Sequence, residues 1–223
     1  QTPNISINDF EWKKYIGRGN FGKVAKVVKK DSKKVYAMKL LKKKGFSRKD
    51  IENAMTEQRI LMKSDNPFIV KLHSSFQDES NLYYCLEYIP GGELFKILKA
   101  FKKFTKDQTR LYAAEVILAI EYLHNDIKTI YRDLKPENIL VNYDGHIKLT
   151  DFGLSKMSLQ GTSFCGTPYY LAPEIILNKG HGKEVDFWTF GCLIFEMLTG
   201  YPPFRNRNQN ILFNLIKKVW KFN

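Results

Sequence analysis

Disulfide chemistry is the first thing this chain lacks. Its three cysteines, Cys85, Cys165 and Cys192, are few, far apart and odd in number, which argues against a disulfide framework and offers no paired metal-ligand spacing. A reducing compartment fits that usage. Long apolar runs are missing as well. The longest, Phe187 to Leu198, contains Glu196 and is too short to cross a bilayer, so it reads as a buried core helix rather than a transmembrane segment. Gln1 to Asp9 carry no basic-then-apolar signal pattern, and the expected location is intracellular, cytoplasmic. Acids are scarce beside bases, 23 Asp and Glu against 36 Lys and Arg, for a formal net charge of +13. Such an excess invites nucleic acid or acidic lipid as a partner. The lysines are scattered, however, and neither zinc-finger spacing nor an aromatic-interleaved RNA signature accompanies them, so no nucleic-acid partner is expected.

What is present is enough chain for a sizeable core, 223 residues with 43% hydrophobic content. Phe10 to Ile16, Lys23 to Lys29 and Val35 to Leu41 read as strands broken by Gly-rich or charged turns, and an antiparallel sheet follows from them. Helical spacing runs from Arg48 to Lys63, and two further strands are predicted at Ile69 to Phe76 and Leu82 to Tyr88. Pro90-Gly91-Gly92 then punctuates the chain, and helices are predicted over Glu93 to Ala100, Lys106 to His124, Glu184 to Thr199 and Asn210 to Trp220. The expectation is an α+β fold of two lobes: a small β-rich lobe with one main helix over residues 1–88, and a larger α-rich lobe over residues 89–223. A ligand cleft is expected between them, near Glu87 to Gly92.

Gly17, Gly19 and Gly22 lie between the first two strands, where a tight hairpin lets backbone amides approach phosphate oxygens. Such a hairpin is by itself often only a turn. Lys39, in the apolar run Val35 to Met38, needs an anionic partner, and Glu57 on the following helix is a candidate, although its spacing suits a surface glutamate equally well. Far more specific is Tyr131-Arg132-Asp133-Leu134-Lys135-Pro136-Glu137-Asn138, which sets an acid, a cation and a metal-binding amide on one proline-containing loop. Asp151-Phe152-Gly153, whose carboxylate can hold Mg2+, and Ala172-Pro173-Glu174 follow.

On these motifs the chain resembles eukaryotic protein kinases from its first strand to about Phe204. Tyr131 before Arg-Asp, Phe164 to Pro168, and Pro90-Gly91-Gly92-Glu93-Leu94-Phe95 make it similar to the AGC group of serine/threonine kinases. The resemblance implies a bilobal fold whose lobe after the hinge is incomplete at its end, since the last helices and the arginine that pairs with Glu174 are not reached. It implies an enzyme moving the γ-phosphate of ATP with Mg2+, with a catalytically inactive scaffold of the same fold as the alternative.

By resemblance, Asp133 would accept or orient the substrate proton, Lys135 and Thr167 would steady the γ-phosphate and the Asp133 carboxylate, and Lys39 with Glu57 would hold the other phosphates. Asn138 and Asp151 would bind the metal. Ile16, Val24, Ala37 and Leu140 would enclose adenine, the backbone at Glu87 and Ile89 would hydrogen-bond it, Glu93 would line the nucleotide site, and Leu86 would be the gatekeeper. Leu61, Leu72, Tyr131 and Phe152 would stack as an apolar spine. Glu93, Glu137 and Glu196 would bind arginines of a basic protein substrate. Tyr169 replaces the group's usual glutamate, so far-upstream selectivity is not carried over. Ser163 would be phosphorylated by an upstream activating kinase and meet Arg132 and Lys156, while Asn53 stands where many relatives have a phosphate-binding histidine. Cys165, near those cations, is a candidate for a lowered thiol pKa and redox sensitivity, against the commoner role of apolar filler.

Overall fold

Alternating side chains in the first third of the chain sort onto the two faces of a sheet. The computed structural model describes residues 5–18 and 22–220, the last by its backbone. Strands β1 (Phe10–Arg18), β2 (Gly22–Lys29), β3 (Val35–Lys42), β4 (Leu72–Gln77) and β5 (Asn81–Glu87) form an antiparallel sheet in the order β1-β2-β3-β5-β4. Period-two alternation sends Met38, Tyr83 and Cys85 to one face, where they pack with Phe10, Ala25 and Val27. Ala37, Leu41, Tyr84 and Leu86 go to the other face and join the main core.

That second face is covered by α1 (Arg48–Lys63). The helix starts at a capping box in which Ser47 Oγ accepts from the Asp50 N–H and the Asp50 carboxylate takes the Ser47 N–H. Its buried stripe is Ala54, Glu57, Ile60 and Leu61, so one charge is carried inward among apolar neighbours.

Beyond the hinge come α2 (Leu94–Phe101), α3 (Lys106–Asn125), the hairpin β6 (Ile139–Val141) and β7 (Ile147–Leu149), the short strand β8 (Gln160–Gly161), α4 (Pro173–Ile176), β9 (His181–Gly182), α5 (Glu184–Thr199) and α6 (Gln209–Trp220). Val116, Ala119, Ile120 and Leu123 of α3 share a core with Leu193 and Met197 of α5. Among the described residues no helix is long and apolar enough to cross a membrane.

Two expectations change in detail. The strand predicted over Ile69 to Phe76 begins only at Leu72. Its apolar start serves the other lobe: Val70 N–H donates to Leu149 O at 2.9 Å, and Leu149 N–H to Phe68 O at 2.8 Å. The β6–β7 hairpin and the β8–β9 ribbon carry no sequence signal long enough to register. At the hinge, Gly91 is needed for close approach, because a Cβ there would lie 2.2 Å from Val141 O.

Candidate active site

Lys39 projects from the middle of β3, between Val24 and Tyr84 of the neighbouring strands. Its Nζ lies 2.6 Å from Glu57 Oε1 on α1 and 3.2 Å from Asp151 Oδ1 in the other lobe. Burial opposes the charge on Lys39, but the Glu57 and Asp151 carboxylates outweigh it and hold the ammonium above the ordinary lysine range. The same ammonium keeps the Asp151 carboxyl below its usual range, against burial. Glu57, ambiguous from spacing, is thus a buried partner of Lys39 and not a surface residue.

The loop from Tyr131 to Asn138 is organised around Asp133. Thr167 Oγ1 donates to Asp133 Oδ1 at 2.9 Å, Lys135 Nζ lies 2.8 Å from Oδ2, and Asn138 Nδ2 donates to Oδ2 at 2.9 Å and to the Asp133 carbonyl at 2.8 Å. Lys135 also donates to Thr167 Oγ1 at 2.8 Å. Asn138 therefore spends its amide hydrogens on Asp133, which leaves its carbonyl oxygen as the atom suited to a cation. Among the described residues no group of three or more His, Cys, Asp or Glu side chains is placed to hold a metal. Asn138 and Asp151 nonetheless fit Mg2+, which takes one or two protein oxygens and fills its remaining positions with water and phosphate.

Two residues here adopt left-handed backbone, Arg132 at φ 68° and Asp151 at φ 59°. Such conformations cost energy and persist only where neighbours impose them. Asp186, fully buried at the start of α5, does so for Arg132: its carboxylate accepts from Arg132 N–H at 2.7 Å and Tyr131 N–H at 2.8 Å, and His124 Nε2 lies 2.7 Å away. Neither Asp186 nor His124 was flagged by motif. The one available signal was an aspartate at the head of an otherwise apolar run.

Of the residues expected to enclose adenine, Ile16, Val24 and Ala37 share one cluster. Ile16 and Val24 pack against the cluster that contains Ala37 and Leu86, which face each other across β3 and β5. Leu140 bridges Glu93 beneath the hinge. The buried side chains of Leu61, Tyr131 and Phe152 share that cluster with the partly buried Leu72, and the Tyr131 and Phe152 rings meet edge-on at 5.3 Å. Glu87 can enter the nucleotide site only through its main chain: its carboxylate takes Lys71 N–H at 2.7 Å and pairs with Lys148 at 2.9 Å. Ile89, just beyond, is buried. Gly22 has a reason other than phosphate, since a Cβ would sit 2.0 Å from Leu40 O, whereas a Cβ at Gly17 would make only ordinary contacts. Gly19 lies outside the described residues.

The three acids expected to bind substrate arginines lie on different elements. Glu93 caps α2 and pairs with Lys96 at 2.9 Å, an exposed contact of little strength. Glu196 is buried and accepts from the Tyr170 hydroxyl. Burial pushes its carboxyl up, Tyr170 pulls it down and the nearby Glu137 adds to the rise. Glu137 Oε2 is buried and without a hydrogen-bond partner. Ser163 is half-buried on the segment after β8. Cys165 fits the commoner role of apolar filler over a lowered thiol: burial outweighs the Arg132, Lys49 and Lys156 charges, so its thiol is raised.

Comparison with known proteins agrees with the geometry. The family model described as "Protein kinase domain" matches residues 10–222. The chain is 48% identical over 222 residues to the RAC family serine/threonine-protein kinase homolog of Dictyostelium discoideum, covering 97% of this chain and 50% of that protein. It is 46% identical over 222 residues to serine/threonine-protein kinase sgk-1 of Caenorhabditis elegans, covering 97% and 48%. It is also 46% identical over 218 residues to serine/threonine protein kinase ypkA of Aspergillus fumigatus, covering 96% and 34%. The chain thus spans half or less of each of these relatives, all of them serine/threonine kinases by name. With the family model matching nearly its whole length, the chain belongs to the protein kinase domain family.

Proposed function

We propose that this chain transfers the γ-phosphate of ATP, with Mg2+, to serine or threonine hydroxyls in arginine- and lysine-rich protein sequences, with residues 1–88 and 89–223 as the two lobes that enclose the reaction. The observation that carries the reading is the convergence of Lys39, Glu57 and Asp151 from one side and Asp133, Lys135, Asn138 and Thr167 from the other. Phosphoryl transfer asks little covalent chemistry of a protein and much positioning and charge neutralisation.

Asp133 has one carboxylate oxygen on Thr167 and the other on Lys135 and Asn138, so its orientation is fixed while lone pairs remain for a substrate hydroxyl. Lys135, bonded at 2.8 Å to both Asp133 and Thr167, would exchange one of them for an incoming phosphoryl oxygen. Lys39 is held over the cleft by Glu57. Bound Mg2+ would neutralise phosphate charge, and Asn138 and Asp151 are the residues that would hold it.

The arginine preference rests on Glu137 and Glu196. Two neighbouring carboxylates, one with a buried oxygen that no donor reaches, are suited to a planar guanidinium. Glu93, whose bond to Lys96 is weak, would take a second arginine. Phosphorylation of Ser163 by another kinase would order the loop through Arg132 and Lys156.

The test is transfer of labelled γ-phosphate to a serine peptide with upstream arginines. Asp133→Asn should lower kcat about 100- to 10,000-fold. Glu137→Gln should lower kcat/KM about 10- to 100-fold for the arginine peptide and leave an arginine-free peptide unaffected. Equal rates on both peptides with the unaltered protein would remove the specificity, absent transfer would favour the scaffold reading, and transfer indifferent to Asp133→Asn would remove the role given to Asp133.

A further inference from the structure

The β8–β9 ribbon pairs Gly161 with His181, two residues before Ser163. A Cβ at Gly161 would lie 2.5 Å from His181 Nε2, so the imidazole rests directly on the bare main chain of the loop that carries the serine. His181 is 6% exposed, and its Nε2 is buried with no hydrogen-bond partner. A ring nitrogen withdrawn from water and left unpaired is an unmet demand.

A second unmet demand lies alongside. Arg132 is 8% exposed; its Nε donates to Leu154 O at 2.7 Å, yet its Nη1 is buried without a partner. Lys156 is tied to Ile130 by backbone hydrogen bonds of 3.0 and 2.9 Å, which fixes it beside the Arg132 segment. The carboxylates near His181 are engaged elsewhere: Glu184 accepts from Gly182 N–H, and Asp186 from Tyr131 and Arg132. On α1 the residue four before Glu57 is the uncharged Asn53. Two orphaned nitrogens and a lysine beside the loop that runs from Gly161 through Ser163 to Cys165 call for an anion.

We propose that His181 is a direct ligand of a phosphate on Ser163, joining Arg132 and Lys156 from β9. This rests on the activation reading above. Without phosphate, burial and then the Arg132 and Lys156 charges push the imidazole below the ordinary histidine value, with Glu184 and Asp186 opposing them, so the ring waits neutral. The arriving anion offsets those cations, and His181 takes up a proton as it binds. The phosphate is then gripped by the β8–β9 ribbon and by the catalytic loop, with the α1 residue Lys49 adding charge near Cys165.

The experiment compares the protein with phosphoserine installed at position 163 during synthesis against the unmodified protein. Ring 15N signals are followed through a pH titration, His181 being assigned with His181→Gln. Phosphorylation should raise the His181 pKa by about one unit or more. The ratio of phosphorylated to unphosphorylated rates should fall about tenfold in His181→Phe and recover in His181→Gln, whose amide can donate. A His181 titration that phosphorylation leaves unmoved overturns the proposal, whatever the variants do. Where phosphorylation does activate the unaltered protein, equal activation by the same factor in both variants also overturns it. A moved titration without activation of the unaltered protein keeps His181 as a phosphate ligand and discards the activation reading. Activation without a moved titration does the reverse. Should His181→Phe not fold, the titration of the unaltered chain decides alone.

Discussion

Replacing Asp186 by asparagine tests whether the catalytic loop is held from α5. The carboxylate is wholly buried and serves Tyr131 N–H, Arg132 N–H and His124. Asparagine matches its shape but offers one acceptor oxygen in place of two and turns an NH2 toward a donor. Hydrogen bonds to a charged group contribute about 1.5–3 kcal/mol each, and an orphaned buried donor costs about 1–3 kcal/mol. The bonds share one carboxylate and do not simply add, so the expected loss is roughly 3–5 kcal/mol. For a domain of this size each kcal/mol moves Tm by about 2–4 °C, which gives a fall of roughly 6–20 °C in a thermal melt. Activity carries a second readout. Arg132 sits in left-handed backbone that those bonds impose, so kcat should drop severalfold at temperatures where the variant is still folded. His124→Phe, which removes one of the three donors, should lose less on both counts. An Asp186→Asn protein that melts within about 2 °C of the original and keeps its kcat would refute the reasoning.

Lys39→Met should leave Glu57 buried without its cation and remove the partner of the exposed Asp151, lowering kcat/KM for ATP by about 100-fold or more and destabilising the fold by about 3–5 kcal/mol through Glu57; steady-state kinetics and urea unfolding check both, and the double change Lys39→Met with Glu57→Gln should recover stability but not activity. On the far surface, the Glu115 hydrogen bond and charge raise the His146 pKa above the ordinary histidine value. That contribution is complete below the unfolded histidine pKa and disappears as pH rises through the raised folded value. Urea midpoints should therefore fall between about pH 6 and 8 in the original protein, and His146→Gln should flatten that part of the profile.

What the sequence disclosed and what it withheld divide along physical lines. Asp133, Lys135, Asn138 and Asp151 were legible because their chemistry sits in short, closely spaced motifs. Lys39 was legible as a charge in an apolar run with Glu57 as its candidate partner; spacing alone left that pairing open, because nothing in a helical glutamate says that its stripe faces inward. Asp186 and His124 were missed because they act across 62 residues, a distance at which an aspartate before an apolar helix looks like an ordinary favourable charge at a helix start. The run from Ile69 was read as one strand, whereas its first residues pair with β7 and the rest with β5, a split that periodicity cannot reveal. His181 was passed over because a lone histidine acquires meaning only when Gly161 is brought beneath it. At Cys165 the motifs disclose the nearby cations but not the burial that outweighs them, and the commoner role of apolar filler is the one that fits.

The clamp on the catalytic loop also has a history in time. Asp186 comes 54 residues after Arg132 and 55 after Tyr131. At a synthesis rate of about 5–20 residues per second, the ribosome makes the catalytic loop roughly 3–11 s before the carboxylate that shapes it. During that interval the nascent chain already carries Lys39, Glu57, Asp133 and Asn138, with nothing to set Arg132 into its left-handed turn. The small lobe, whose five strands are complete by Glu87, can form early, while the reactive geometry is withheld until α5 has emerged and docked.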